Sequence, residues 1–93
     1  MSLSYKEAVK KANEIDGTLT CQDFVVRKRS RVIEFLHSDG TYCKFVSACF
    51  KRITDDWVAI YTEHHGIFVY HTEDIKWVCE SIRSKYIYYN KND

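Results

Sequence analysis

The chain has 93 residues, 45% of them hydrophobic and 15% aromatic, with four cysteines, no proline and a net charge of +1. That length fits one domain, and the apolar share supports a core, which excludes a chain disordered over most of its length. No apolar run approaches the roughly 20 residues of a membrane helix, and the polar, charged start lacks a secretory pattern.

The first element is a helix. Ser4 with Glu7 makes a capping box, and Tyr5, Ala8, Val9, Ala12 and Ile15 recur at helical spacing. Gly17 stands where a left-handed residue would end it. Residues 18–26 then read as a strand interrupted near Gln22 and Asp23. Arg27, Lys28, Arg29 and Ser30 are a polar connection or the end of that strand.

Residues 31–37 read as the next strand. Ser38-Asp39-Gly40 supplies a three-residue turn, with Gly40 in the left-handed region. That register sets Val32 opposite Val46, Ile33 opposite Phe45, Phe35 opposite Cys43, and Glu34 opposite Lys44, a favourable charge pair. The returning strand is long, over residues 41–53. Its first half pairs backward, and its second half pairs forward through Thr54-Asp55-Asp56. A strand shared in this way bends or carries a bulge, which predicts strong curvature and possible partial closure into a barrel.

Residues 57–72 form the hairpin around which the rest is arranged. One face carries Trp57, Ala59, Tyr61, Ile67 and Val69, and the other Val58, Ile60, Phe68 and Tyr70. Both faces are apolar, so the ribbon is expected inside the domain. Closure through His64-His65-Gly66 sets Tyr61 opposite Val69. Beyond it, Thr72 fits a helix cap, with Glu73 and Asp74 in the first turn and Ile75, Val78, Cys79, Ile82 and Tyr86 on one face. A strand over residues 75–79 is the alternative, since Ile, Trp and Val suit strands. Ile87, Tyr88 and Tyr89 read as extended. The expected fold is α+β: an N-terminal helix, a strongly curved five-strand antiparallel sheet and a C-terminal helix. Residues 1–89 form this single domain and 90–93 a frayed tail.

Chemistry is sparse. Phosphate-loop, dinucleotide, nucleophile-elbow and zincin motifs are absent. His37, Glu63, His64 and His65 all sit at hairpin ends, but strand lengths separate His37 from the others by more than about 20 Å. His71 reads as a packed side chain. No metal, cofactor or catalytic residue is therefore assigned. The four cysteines read as reduced thiols of a cytoplasmic protein, and Cys43 and Cys49 as inert ones within apolar alternation.

Two binding surfaces remain. From Phe24 to Arg52 the chain is basic by five, and from Ile53 to Glu80 acidic by five. Arg27, Lys28, Arg29, Arg31 and Lys44 could contact phosphates of single-stranded RNA or DNA. Alternatively, the two regions neutralise each other across neighbouring strands. A protein interface has more material: Val32, Leu36, Tyr42 and Val46 on one sheet face, with Tyr86, Tyr88 and Tyr89 beyond. The sequence thus predicts a small non-enzymatic protein-binding or regulatory module, with homodimerisation as its simplest form. Small size without catalytic motifs also suits an accessory protein of a phage or mobile element.

Overall fold

The computed structural model describes residues 3–26 and 29–82, and the backbone of 85–90. Helix α1 (Tyr5–Asp16) starts at the expected capping box. The Glu7 N–H donates to Ser4 Oγ at 3.2 Å, and the Ser4 N–H donates to the Glu7 carboxylate at 3.0 Å. Gly17 does not turn left-handed, since its φ is −65°. Thr18 closes the last turn instead, its N–H and hydroxyl both donating to the Ile15 carbonyl at 2.9 and 2.7 Å.

Most of residues 18–26 is not a strand. The Thr20 N–H donates to Asp23 Oδ2 at 2.8 Å, and the Asp23 N–H to the Thr20 carbonyl at 3.0 Å. This local pairing winds a 3-10 turn at Cys21–Asp23. Of this stretch only β1 (Val25–Val26) is a strand, and it pairs with β2 (Arg29–Ser30).

The strands that follow are β3 (Val32–His37), β4 (Tyr42–Val46), β5 (Ala48–Arg52), β6 (Trp57–Thr62), β7 (Ile67–His71), β8 (Ile75–Ile82) and β9 (Lys85–Asn90). They form a four-stranded sheet in the order β4-β3-β8-β9 and a three-stranded sheet in the order β5-β6-β7. Every pairing is antiparallel. The described residues therefore hold neither the expected five-strand sheet nor a closed barrel nor a C-terminal helix.

Ser47 is the reason the single sheet fails. It sits at φ 56°, in the left-handed region that non-glycine residues seldom occupy. The chain turns there from β4 in one sheet to β5 in the other. Ser47 Oγ lies 2.9 Å from Ser30 Oγ, which anchors the turn. Both halves of the long ribbon still pair with the expected neighbours: Val32 meets Val46 in the register read from the sequence, and β5 meets β6 with Cys49 opposite Tyr61.

The C-terminal helix fails for a second local reason. Leu36 pairs with Trp77, but the next residue, His37, pairs with Ile75, so Lys76 is an extra residue on β8. This bulge turns Ile75 onto the same side as Val78, and both enter one core. A spacing of three, which imitates a helix, is here the mark of a bulged strand. Thr72–Asp74 keeps a single 3-10 turn. Asn90, expected to begin a tail, is the last residue of β9.

The two larger sheets pack face to face. Ile33, Phe35, Ala48, Val58, Ile60, Ile75 and Val78 fill the space between them, all buried. α1 lies on the far side of the three-stranded sheet, where Ala12 packs with Cys49, Ala59 and Tyr61. The buried Ala8 and Ala12 present only methyl groups, which lets the helix approach closely. β6 is consequently buried along its whole length. Two polar bonds fasten α1 and the residues leading into it to β6: the Tyr61 hydroxyl donates to the Ala12 carbonyl at 2.8 Å, and the Trp57 indole N–H donates to the Leu3 carbonyl at 2.8 Å.

The central hairpin keeps both expected faces but not its register. Tyr61 meets Ile67, not Val69. A shift of two residues preserves every side chain's face, because the strand period is two. Thr62 causes it: its Oγ1 accepts from the His65 N–H at 2.8 Å and donates to the Gly66 carbonyl at 2.7 Å, closing the loop one residue early on each arm.

Candidate protein-docking face

The inner face of the four-stranded sheet is occupied by the core. Ile33 and Phe35 point inward, with Cys43 and Phe45 packed beside them. Strand alternation sends their neighbours outward. In register, Tyr42, Leu36 and Trp77 make one row across the outer face, Lys44, Glu34 and Cys79 the next, and Val46, Val32 and Ser81 the third. Among the described residues no further layer covers these rows.

The face combines apolar area with a few fixed polar groups. Tyr42 is 50% exposed and Val46 57% exposed, while Val32, Leu36 and Trp77 are half-buried. The Tyr42 ring is tilted against Trp77, with centroids 6.3 Å apart. Its hydroxyl donates to the Glu34 carboxylate, a bond that raises the Tyr42 pKa above its ordinary value. Glu34 also stands opposite Lys44, so each charge on the face has a neighbour of opposite sign or a hydroxyl donor. Cys79, at the centre of the middle row, is buried.

In β9, Tyr86 pairs with Ser81 and Tyr88 with Cys79, so their backbones extend two of the rows. Tyr89 pairs with Val78, one position out of step.

Of the expected phosphate-binding set, Arg29, Arg31 and Lys44 fall among the described residues. Arg27 and Lys28 lie outside the described residues. Arg29 is half-buried in β2. Arg31 donates to Glu80 at 3.1 Å and to the Gln22 carbonyl at 3.2 Å. Lys44 is exposed, but on the docking face beside Glu34. Lys51 lies 3.7 Å from Asp23. The Arg31–Glu80 pair joins the basic middle of the chain to its acidic third, as the neutralising alternative requires.

The histidines are dispersed. His64 pairs with Glu63 at 3.1 Å. His71 packs edge-on against Trp57 and accepts from the Glu73 N–H at 3.1 Å. Among the described residues no three His, Cys, Asp or Glu side chains gather as metal ligands. Cys49 is buried, and desolvation pushes its thiol up to about 11.

One pair escaped the sequence reading: Cys43 Sγ lies 3.5 Å from His37 Nε2. The signal was present in the β3–β4 register, since His37 and Cys43 are diagonal neighbours across that hairpin. Among the described residues, no helix is long and apolar enough to cross a membrane. Comparison with protein-family models, curated sequences and solved structures finds no match to this chain.

Proposed function

We propose that this protein is a small, non-enzymatic cytoplasmic binding module that self-associates through the outer face of its four-stranded sheet. The observation that carries this reading is the face's self-complementarity. A two-fold interface uses the same patch on both copies, so the patch must match itself. Here apolar rows flank a middle row with one acid and one base, Glu34 and Lys44. A two-fold axis near that row sets Lys44 of each copy over Glu34 of the other. A polyanion would instead require an excess of cations, and elsewhere in the chain Arg31 and Lys51 already face carboxylates.

Edge pairing through β4 supports the dimer less well. Centred on the strand, it would oppose Lys44 to itself, and such a lysine guards an edge against pairing. The face is also small. Four strands about 4.8 Å apart and five residues of about 3.3 Å give a flat footprint of roughly 300 Å². That is well below the roughly 800 Å² per partner of a standard interface, so the affinity is expected to be weak, on the order of 10⁻⁵ M.

Sedimentation velocity at protein concentrations from about 10 to 500 µM spans that affinity. The weight-average mass should climb toward the dimer. Lys44→Glu should abolish the rise, and adding Glu34→Lys should restore it by exchanging the charges. A strict monomer at all concentrations, or a dimer indifferent to Lys44→Glu, refutes the assignment.

A further inference from the structure

We propose that Cys43 and His37 form a thiol–imidazole pair, and that Cys43 takes up small amine-bearing disulfides as a mixed disulfide. The two residues meet because the hairpin closes tightly: the His37 N–H donates to the Thr41 carbonyl at 2.8 Å, and Cys43 follows two residues later on β4. The sulfur-to-Nε2 distance of 3.5 Å is within reach of a thiol hydrogen bond. The imidazole is held in place by aromatic walls, with ring centroids 4.5 Å from Phe35 and 5.3 Å from Tyr70. Cys43 is half-buried, unlike the fully buried Cys49 and Cys79.

A cavity of about 330 Å³ opens beside this imidazole, lined by His37, Ser38, Asp39, Tyr70 and Asp74. Its titratable groups come from each surrounding element. Asp39, in the turn after β3, is held low mainly by the Thr41 N–H and feels the His37 charge in addition. Asp74 ends the 3-10 turn before β8. The Tyr70 hydroxyl, on β7, is pushed up by burial and further by Cys43. Among the described residues no Lys or Arg lines the cavity, so the charge of its two carboxylates favours a cationic visitor.

The exchange balances as a single displacement. Nε2 takes the thiol proton as sulfur attacks one sulfur of the disulfide. The old S–S bond breaks as the Cys43 S–S bond forms, and the departing thiolate takes the proton back from the imidazolium. Cys43 is oxidised, and the released half is reduced to a thiol. The two carboxylates facing the cavity select disulfides that carry amines over those that carry carboxylates.

The test exposes the protein at neutral pH to cystamine or to glutathione disulfide and follows each cysteine by peptide mass spectrometry. Cys43 should react first among the four, and faster than the exposed Cys21. Cystamine should outpace glutathione disulfide at Cys43 by at least about tenfold, a preference that Asp74→Asn reduces. His37→Gln should slow Cys43 by about tenfold or more and leave Cys21 unchanged. Faster reaction at Cys21 in the unaltered protein, or a Cys43 rate indifferent to His37→Gln, overturns the proposal. The comparison of the two disulfides needs no variant, so it stands even where a substitution impairs folding.

Discussion

Replacing Tyr61 by phenylalanine separates two contributions of one hydroxyl. The ring stays, so the packing against Ala12 and Ala59 is kept. What is lost is the 2.8 Å bond to the Ala12 carbonyl. A buried neutral hydrogen bond of this kind contributes about 1 kcal/mol, so the variant should be less stable by about that amount at neutral pH. Burial also pushes the Tyr61 phenol from 10.0 up to about 12, because the phenolate would lose its water. The folded state thus keeps its full stability below about pH 10 and loses it as pH rises through about 12, by about 2–3 kcal/mol in all. A phenylalanine ring cannot ionise, so the Tyr61→Phe variant lacks that loss. The two stability curves, measured by urea unfolding from pH 7 to about 12, should therefore cross between about pH 10 and 11. Ionisations remote from Tyr61 are common to both proteins and cancel in the difference, and the Cys49 charge beside it only adds to the upward push. Parallel curves would refute the reasoning, as would a variant equal to the parent at neutral pH.

Two further pairs of substitutions probe the architecture. Ser47→Gly and Ser47→Ala both remove the hydroxyl contact with Ser30, but only the alanine variant retains a Cβ at φ 56°. The glycine variant should be the more stable by about 1 kcal/mol in thermal or urea unfolding, and equal stabilities would deny any strain at the sheet crossing. Phe35→Ala empties a fully buried site between the sheets and should cost about 3–5 kcal/mol, whereas Leu36→Ala on the outer face should cost less than about half of that. Similar losses at the two neighbours would contradict the assignment of inner and outer faces.

The parts of the fold legible in the sequence are those decided between neighbours. Gly40, at φ 97°, sets the first hairpin, and the Glu34–Lys44 match selects its register, so the pairing of β3 with β4 is as read. The faces of the 57–72 hairpin follow from alternation alone. Its register does not, because Thr62 contributes turn bonds that a search for glycine overlooks. Ser47 carries no glycine-like signature, so its left-handed turn, and with it the division into two sheets, is invisible to pattern. The bulge at Lys76 is worse than invisible, since it places Ile75 and Val78 at a helix's spacing. The outer-face residues Val32, Leu36, Tyr42 and Val46 were legible from the same alternation. The ion pair of Arg31 was hidden for a long-range reason: Glu80 reaches it only because β8 lies beside β3.

That adjacency of β3 and β8 governs how the chain can assemble. The β3–β4, β5–β6, β6–β7 and β8–β9 pairs each join strands consecutive in the chain, and each costs little loop entropy to close. Among the strand pairings of the described residues, only the β3–β8 seam ties positions far apart in the chain, such as Ile33 and Glu80. Until it zips, three separate ribbons hold half-made cores, and the step that joins them is the one whose contact order limits the folding rate. The strand pairing most costly in loop entropy is thus a single line of backbone bonds.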